Sequence, residues 1–353
     1  MRRLSLPFPS TAASRLCAPD RFRFTIFNMM VGLLTTTILP LTGVPVNAQE
    51  TTQDGIQNKV QKRSKKQNAR QTADATADAK NTSTGLPDPP RDPELASFGI
   101  YENTAPRATS TAPVITRLPL ELQPGDRIAL IGNALLERSG QFGNLEAMIQ
   151  QTFPEKKVTL RHLAWTADEV DAQPRPDNFA DTFQHLTHEK ADVIFAAYGF
   201  NESFAGDEGL ESFRQSLTRF VSELKTKAFN GHSAPRIVLV SPIANENLPS
   251  VAAADLNNDA IKRYVDVMRE VAVQQNVAFA DVFRETSEQF KSLGSDYTIN
   301  GIHLNQDGDR FFSKTLFETV FRVQAPEVLP ELAELIADKN RQFFRRFRPL
   351  NTF

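Results

Sequence analysis

Four short blocks concentrate the residues able to do chemistry: Gly132-Asn133-Ala134-Leu135, Leu163-Ala164-Trp165-Thr166-Ala167-Asp168, Gly199-Phe200-Asn201-Glu202-Ser203 and Asn300-Gly301-Ile302-His303-Leu304-Asn305. The last holds an imidazole, the side chain that most often moves protons near neutral pH. Amides stand around it, and an amide can donate to a polarised oxygen as well as accept from a ring N–H. Other candidates carry less. His185 and His188 lie three apart, a spacing that could ligate a metal from one helix face, but with few other histidines and no usable cysteine they read as surface residues, and no metal is expected. Asp307-Gly308-Asp309 lacks the spacing of a calcium loop and no glycine-rich phosphate loop occurs, so no cofactor is expected either. Trp165, the one tryptophan, fits a sugar-stacking platform and core packing equally.

These blocks need elements to hold them. Short apolar runs at 127–132, 158–160, 191–198, 236–240 and 277–280 are continuous rather than alternating, as strands covered on both faces require. Helical patterns fall between and after them, around 144–151, 178–189, 209–227, 259–275 and 310–323. Strand and helix at this spacing predict a mostly parallel sheet with helices on both faces, which puts a site at the carboxyl ends of the strands. No internal repeat interrupts the pattern.

In order and position, the four blocks resemble those of the SGNH/GDSL hydrolase family over roughly residues 118–323. The resemblance implies a three-layer α/β/α flavodoxin-like fold with a mostly parallel five-stranded sheet, and an ancestry in ester hydrolysis. Carried over, the family's GDSL motif puts its nucleophilic serine at Ala134 and the preceding aspartate at Asn133. The second block's glycine, an oxyanion donor in the family, falls on Ala167. Gly199-Phe200-Asn201 keeps the third block's Gly-x-Asn, and the final Asp-x-x-His becomes Asn300-Gly301-Ile302-His303. The implied site is therefore a degenerate triad of His303 and Asn300, with the nucleophile lost at Ala134, beside an oxyanion cradle of Asn133, Ala134, Ala167, Gly199 and Asn201. Gly125-Asp126 contains the Gly-Asp pair but precedes its strand, so it would not be presented at the carboxyl end.

A methyl group cannot attack an acyl carbon, and in serine proteases losing the nucleophile costs ~10⁶ in turnover. An asparagine in place of the triad aspartate costs ~10⁴ there, although an amide oxygen can still accept from an imidazole. The backbone N–H groups of Ala134 and Ala167 could still grip an oxyanion, Ala167 only with negative φ. Two bland roles compete with this: Asn201 tying a strand end to a neighbouring loop, and His303 bracing the last helix. Two rescues of catalysis stay open, a displaced nucleophile among Ser139, Ser203 and Ser241, and a water activated by His303.

Among 353 residues, 40 Lys and Arg balance 42 Asp and Glu, which argues against nucleic acid as a partner. The single cysteine, Cys17, excludes disulfide frameworks, and it lies in an expected export signal. Arg2, Arg3, Arg15, Arg21 and Arg23 precede an apolar stretch at 24–44, and Val46-Asn47-Ala48 offers small residues for cleavage. A signal peptide over 1–48 is expected, with export to the periplasm, envelope or outside; the alternative is an uncleaved anchor, because the stretch approaches the ~20 residues that span a bilayer. Residues 49–115 are too polar to form a core and read as a disordered linker; the basic cluster from Lys59 to Arg70 within it reads as a solvated charge run, the alternative being contact with an acidic surface polymer or membrane phosphates. The hydrolase-like domain is expected over 116–325. Residues 326–353 form a basic, aromatic-studded tail, helical to about Phe347, that packs on its own domain or docks on a partner or membrane surface; similar secreted SGNH-like proteins often continue into further modules, so the resemblance leaves open a shortened relative of larger proteins.

Three functions follow from these features. The first is a protein without efficient turnover that binds an acylated or anionic, glycan-type ligand, a small-molecule or carbohydrate ester. The second is an acyl or acetyl esterase using His303 with a non-standard nucleophile or water. The third is a structural envelope or adaptor role carried by the linker and tail.

Overall fold

The computed structural model describes residues 93–96, 107–175, 179–249, 254–291 and 296–348, all within one compact unit. The expected signal, the basic cluster and most of the expected linker lie outside the described residues. In chain order the strands are β1 (Thr109–Ser110), β2 (Arg127–Gly132), β3 (Thr159–His162), β4 (Val193–Ala197), β5 (Lys227–Ala228), β6 (Arg236–Val240) and β7 (Ala278–Ala280). The helices are α1 (Pro93–Ala96), α2 (Ala134–Ser139), α3 (Asn144–Thr152), α4 (Thr182–Glu189), α5 (Leu210–Leu224), α6 (Ala254–Gln275), α7 (Phe283–Gln289), α8 (Gln306–Phe321) and α9 (Pro330–Phe347).

Five strands form one sheet in the order β3-β2-β4-β6-β7, and every pair in it is parallel. Parallel neighbours need crossovers, which the helices supply. Although the strand sequences are continuously apolar, their side chains still alternate. Ile128, Leu130, Val193 and Phe195 enter a core with α3 and α8, whereas Ala129, Ile131, Ile194 and Ala196 enter a second core with α4 and α5. The sheet is thus covered on both faces, as the apolar runs predict, in the three-layer α/β/α arrangement that the resemblance implies.

The edges of the domain differ slightly from the expected boundaries. Thr109 and Ser110, within the stretch expected as linker, pair antiparallel with Ala228 and Lys227, so this part of the chain is tied to the domain. Thr116 is buried, and its hydroxyl accepts from Ile237 N at the start of β6. At the other end α9 folds back on its own domain: Ile336 is buried, Asn340 Nδ2 donates to Gly140 O, and Lys339 pairs with the buried Glu146. Among the described residues no helix is long and apolar enough to cross a membrane.

Candidate functional site

A pocket of about 530 Å³ opens at the carboxyl ends of β2, β4 and β6. It lies where an open parallel sheet presents its loops. Asn133, Ala134, Ala167, Asn201 and His303 all line it, so the structure brings together residues from all four blocks.

The turn out of β2 is fixed by its backbone. Gly132 has φ +117°, and a Cβ there would sit 2.0 Å from Ala197 O, so only glycine lets β2 and β4 close at this point. Asn133 is buried, donates its N–H to Ala197 O, and caps α2 by accepting Leu135 N at 3.3 Å. Ala134 is the first helical residue, half-buried in the pocket wall, and its N–H has no acceptor within the helix. The decoy Asp126 stands at the opposite end of the strand, paired with Arg236.

The second block is stitched to this turn by Trp165 N donating to Gly132 O. Ala167 is exposed and its φ is negative, which meets the condition for its N–H to serve. Trp165 itself is outside the pocket lining. Its ring is taken by the guanidinium groups of Arg175 and Arg348, 4.3 and 3.9 Å from the centroid, and by the edges of Phe179 and Phe347. Of its two sequence readings, the structure gives packing.

In the third block Asn201 Nδ2 donates to Asp168 O at 3.1 Å, which ties the end of β4 to the second block. Glu202 does the same more firmly: its carboxylate accepts Gly199 N and Val170 N at 2.8 and 3.0 Å. Burial raises the Glu202 pKa to about 7 against the pull of those N–H groups. Gly199 carries φ +93° in this turn.

His303 sits half-buried on the loop 296–305. Asn300 Oδ1 accepts from Ile302 N and His303 N, and lies 3.1 Å from His303 Nδ1. Two backbone donors require an oxygen at that atom, so Nδ1 carries the ring proton and Nε2 is left as the acceptor. Burial, and then the charge of Arg138, hold the His303 pKa below its ordinary value, while Glu137 opposes them. The loop is anchored from beneath. Buried Glu246 accepts Tyr297 N, Thr298 N and the Thr298 hydroxyl at 2.8, 2.7 and 2.6 Å, and Asn245 Nδ2 donates to Gly301 O. The N-terminal brace of α8 is Asn305, which accepts Gly308 N, and not His303.

The three serines weighed as displaced nucleophiles do not line the pocket. Ser139 donates to Leu136 O and Ser203 to Phe200 O, while Ser241 donates to Pro242 O and accepts Val282 N and Phe283 N. The histidine pair also departs from expectation. His188 is exposed, but His185 is half-buried 4.7 Å from the Phe347 ring, and burial lowers its pKa to about 4. The cover comes from α9, remote in sequence. Among the described residues no three metal-ligating side chains gather.

The model of the GDSL-like lipase/acylhydrolase family matches residues 128–311. The chain belongs to that family. The span runs from the second residue of β2 into α8, and so contains all four blocks of the GDSL-like domain. No curated protein matches the chain. Among solved structures, a catalytic mutant of Axe2, an acetylxylan esterase from Geobacillus stearothermophilus, is 17% identical, covering 57% of this chain and 96% of its own, with a TM-score of 0.46. LAE5, an alpha/beta hydrolase enzyme from the metagenome of Lake Arreo, is 15% identical over 56% and 96%, with a TM-score of 0.42. A gut microbial diltiazem-metabolizing enzyme is 20% identical over 57% and 48%, with a TM-score of 0.45.

Reading the four blocks missed three side chains of the GDSL-like domain that matter to the site. Glu202 and Glu246 hold the backbone of the third and fourth blocks, and Arg138 lines the pocket beside His303. Their signal in the sequence is only that of charged residues close to apolar runs.

Proposed function

We propose that this protein binds a small acylated or anionic ligand, of glycan or other ester type, in the GDSL-like pocket without efficient turnover. Ala134 carries the reading. It stands first in α2, one residue beyond β2, in the pocket wall with His303, and offers a methyl group where the family's chemistry needs a nucleophilic hydroxyl. Asn201, Asn133, Gly199 and the backbone N–H groups of Ala134 and Ala167 would contribute binding, and Asn300 orients His303. Export through residues 1–48, and contact with an envelope surface through the basic linker, belong to the same reading.

The test is hydrolysis of p-nitrophenyl acetate by the purified chain and by His303→Ala. Equal background rates in both support the reading. A wild-type rate lost in His303→Ala overturns it.

A second reading is an esterase whose nucleophile is a water activated by His303. One observation favours it: with Nδ1 donating to Asn300, Nε2 is free to accept a proton. Asn300 cannot stabilise an imidazolium as a carboxylate would, which ranks this reading below the first.

A further inference from the structure

Arg138 is half-buried in the wall of the pocket, in a mainly apolar setting made by Leu135, Phe200, Phe204, Ile243, Ile302 and Leu304. Its Nε donates to Leu304 O at 2.5 Å, which fixes the side chain, and its guanidinium carbon is 5.7 Å from the centroid of the Phe142 ring. Among the described residues it forms no ion pair. The carboxylate beside it in sequence, Glu137, is committed elsewhere: it pairs with Arg348 at 2.8 Å and accepts the Thr166 hydroxyl. An arginine keeps its charge at any physiological pH, and a cation withdrawn from water without a partner is costly. The charge of Arg138 acts on the buried Asp309, but that carboxyl is bonded to Asn144 and Ser313 and burial raises its pKa to about 7, so Arg138 has no carboxylate at ion-pair distance in a mainly apolar pocket.

We propose that Arg138 makes this pocket a receptor for a monovalent carboxylate carried on an apolar body. The proposal rests on the binding reading above and names its ligand class. One guanidinium matches one carboxylate in charge and in its planar two-donor geometry. A neutral ester would leave the charge unmatched, and a phosphate dianion would leave its own second charge without a partner. His303 adds no cation near neutral pH, because burial and Arg138 both favour its neutral form. Glu169 also lines the pocket but forms no ion pair with Arg138, the one Lys or Arg side chain of the lining. The pocket thus has a cationic end at Arg138, and the carboxylate belongs there. Phe204 is 65% exposed at the rim and packs edge-on against Phe200, so it offers an uncovered apolar surface to the ligand body.

The experiment measures dissociation constants of octanoate, 1-octanol and methyl octanoate for the full chain by calorimetry, with ester hydrolysis followed in parallel. Octanoate is expected to bind about tenfold or more tighter than either neutral compound, the range for a charge-assisted bond. Arg138→Gln should erase that preference while keeping 1-octanol binding, which also reports an intact pocket. Arg138→Lys should keep part of the preference, and Arg310→Gln, which removes an exposed cation, all of it. Equal binding of octanoate and 1-octanol to the wild type overturns the proposal, and this comparison needs no variant to fold. A preference that survives Arg138→Gln also overturns it. Hydrolysis of methyl octanoate that depends on His303 would instead overturn the reading without turnover, whatever the carboxylate preference.

Discussion

The two ends of the pocket are built in opposite ways. At the turn from β2 into α2, the backbone is fixed by Gly132 and by the Asn133 cap, but the side chain presented is only the methyl group of Ala134. On the loop 296–305 the reactive side chain is present, and a buried carboxylate from the β6 end, Glu246, holds the loop under it. The comparison teaches that position and chemistry are separable. The turn keeps a fixed backbone without a hydroxyl on Ala134, while the loop keeps an imidazole oriented by Asn300.

The most damaging change is expected at the turn. Gly132→Ala would place a Cβ against Ala197 O at a φ of +117°, and should cost about 4 kcal/mol or more of stability by denaturant unfolding. A cost under about 1 kcal/mol would show that β2 and β4 can part at their ends, and would break the claim that the turn is rigid. Next comes the loop. Glu246→Ala leaves Tyr297 N and Thr298 N without their acceptor and should cost about 3 kcal/mol. It should also release the Asn300–His303 contact, seen as a changed His303 ring signal by NMR. An unchanged signal would mean that the loop is held by its own turn alone.

Some of this was legible in the sequence and some was not, for reasons that differ by residue. Continuous apolar runs identify β2, β4 and β6, because a strand covered on both faces can tolerate little else. The blocks at the strand ends locate the pocket, because an all-parallel sheet puts every strand's carboxyl end on the same edge. Contacts between elements remote in sequence leave no such trace. His185 reads as a surface residue until Phe347 arrives from α9, and Trp165 reads equally as a sugar platform or a packed ring until Arg348 covers it. Glu202, Glu246 and Arg138 escape notice because a lone charge beside an apolar run has no spacing pattern; only the donors or cavity around it reveal its role. Asn201 turns out to carry the bland duty, a bond to Asp168 O, while it also faces the pocket.

A hydroxyl placed at Ala134 tests the proposed role of the turn directly. Ala134→Ser should present a hydroxyl at the first position of α2 and raise p-nitrophenyl acetate hydrolysis about tenfold or more above wild type, equivalent to about 1.4 kcal/mol. The gain should vanish in Ala134→Ser with His303→Ala. It should stay far below a complete triad, since Asn300 stands where a carboxylate would stabilise the imidazolium. No gain at all would mean that the turn and the loop are out of register, and that the site has lost position as well as chemistry.

The smallest effect concerns the base itself. Burial, followed by Arg138, lowers the His303 pKa, so its ring should titrate below 6.5 in an NMR titration. Arg138→Gln should move the midpoint up, yet leave it below 6.5, because burial is the larger cause. Between the folded and the ordinary pKa the unfolded chain binds more protons, so the contribution from His303 is complete above pH 6.5 and is lost as the pH falls. His162 and His185, both lowered to about 4 by burial, add to the same acid limb between about 6.5 and 4. A midpoint at or above 6.5 would mean that His303 is more open to water than the loop geometry implies. The contrast between a fixed base and an empty nucleophile position would then fail on the side of the base.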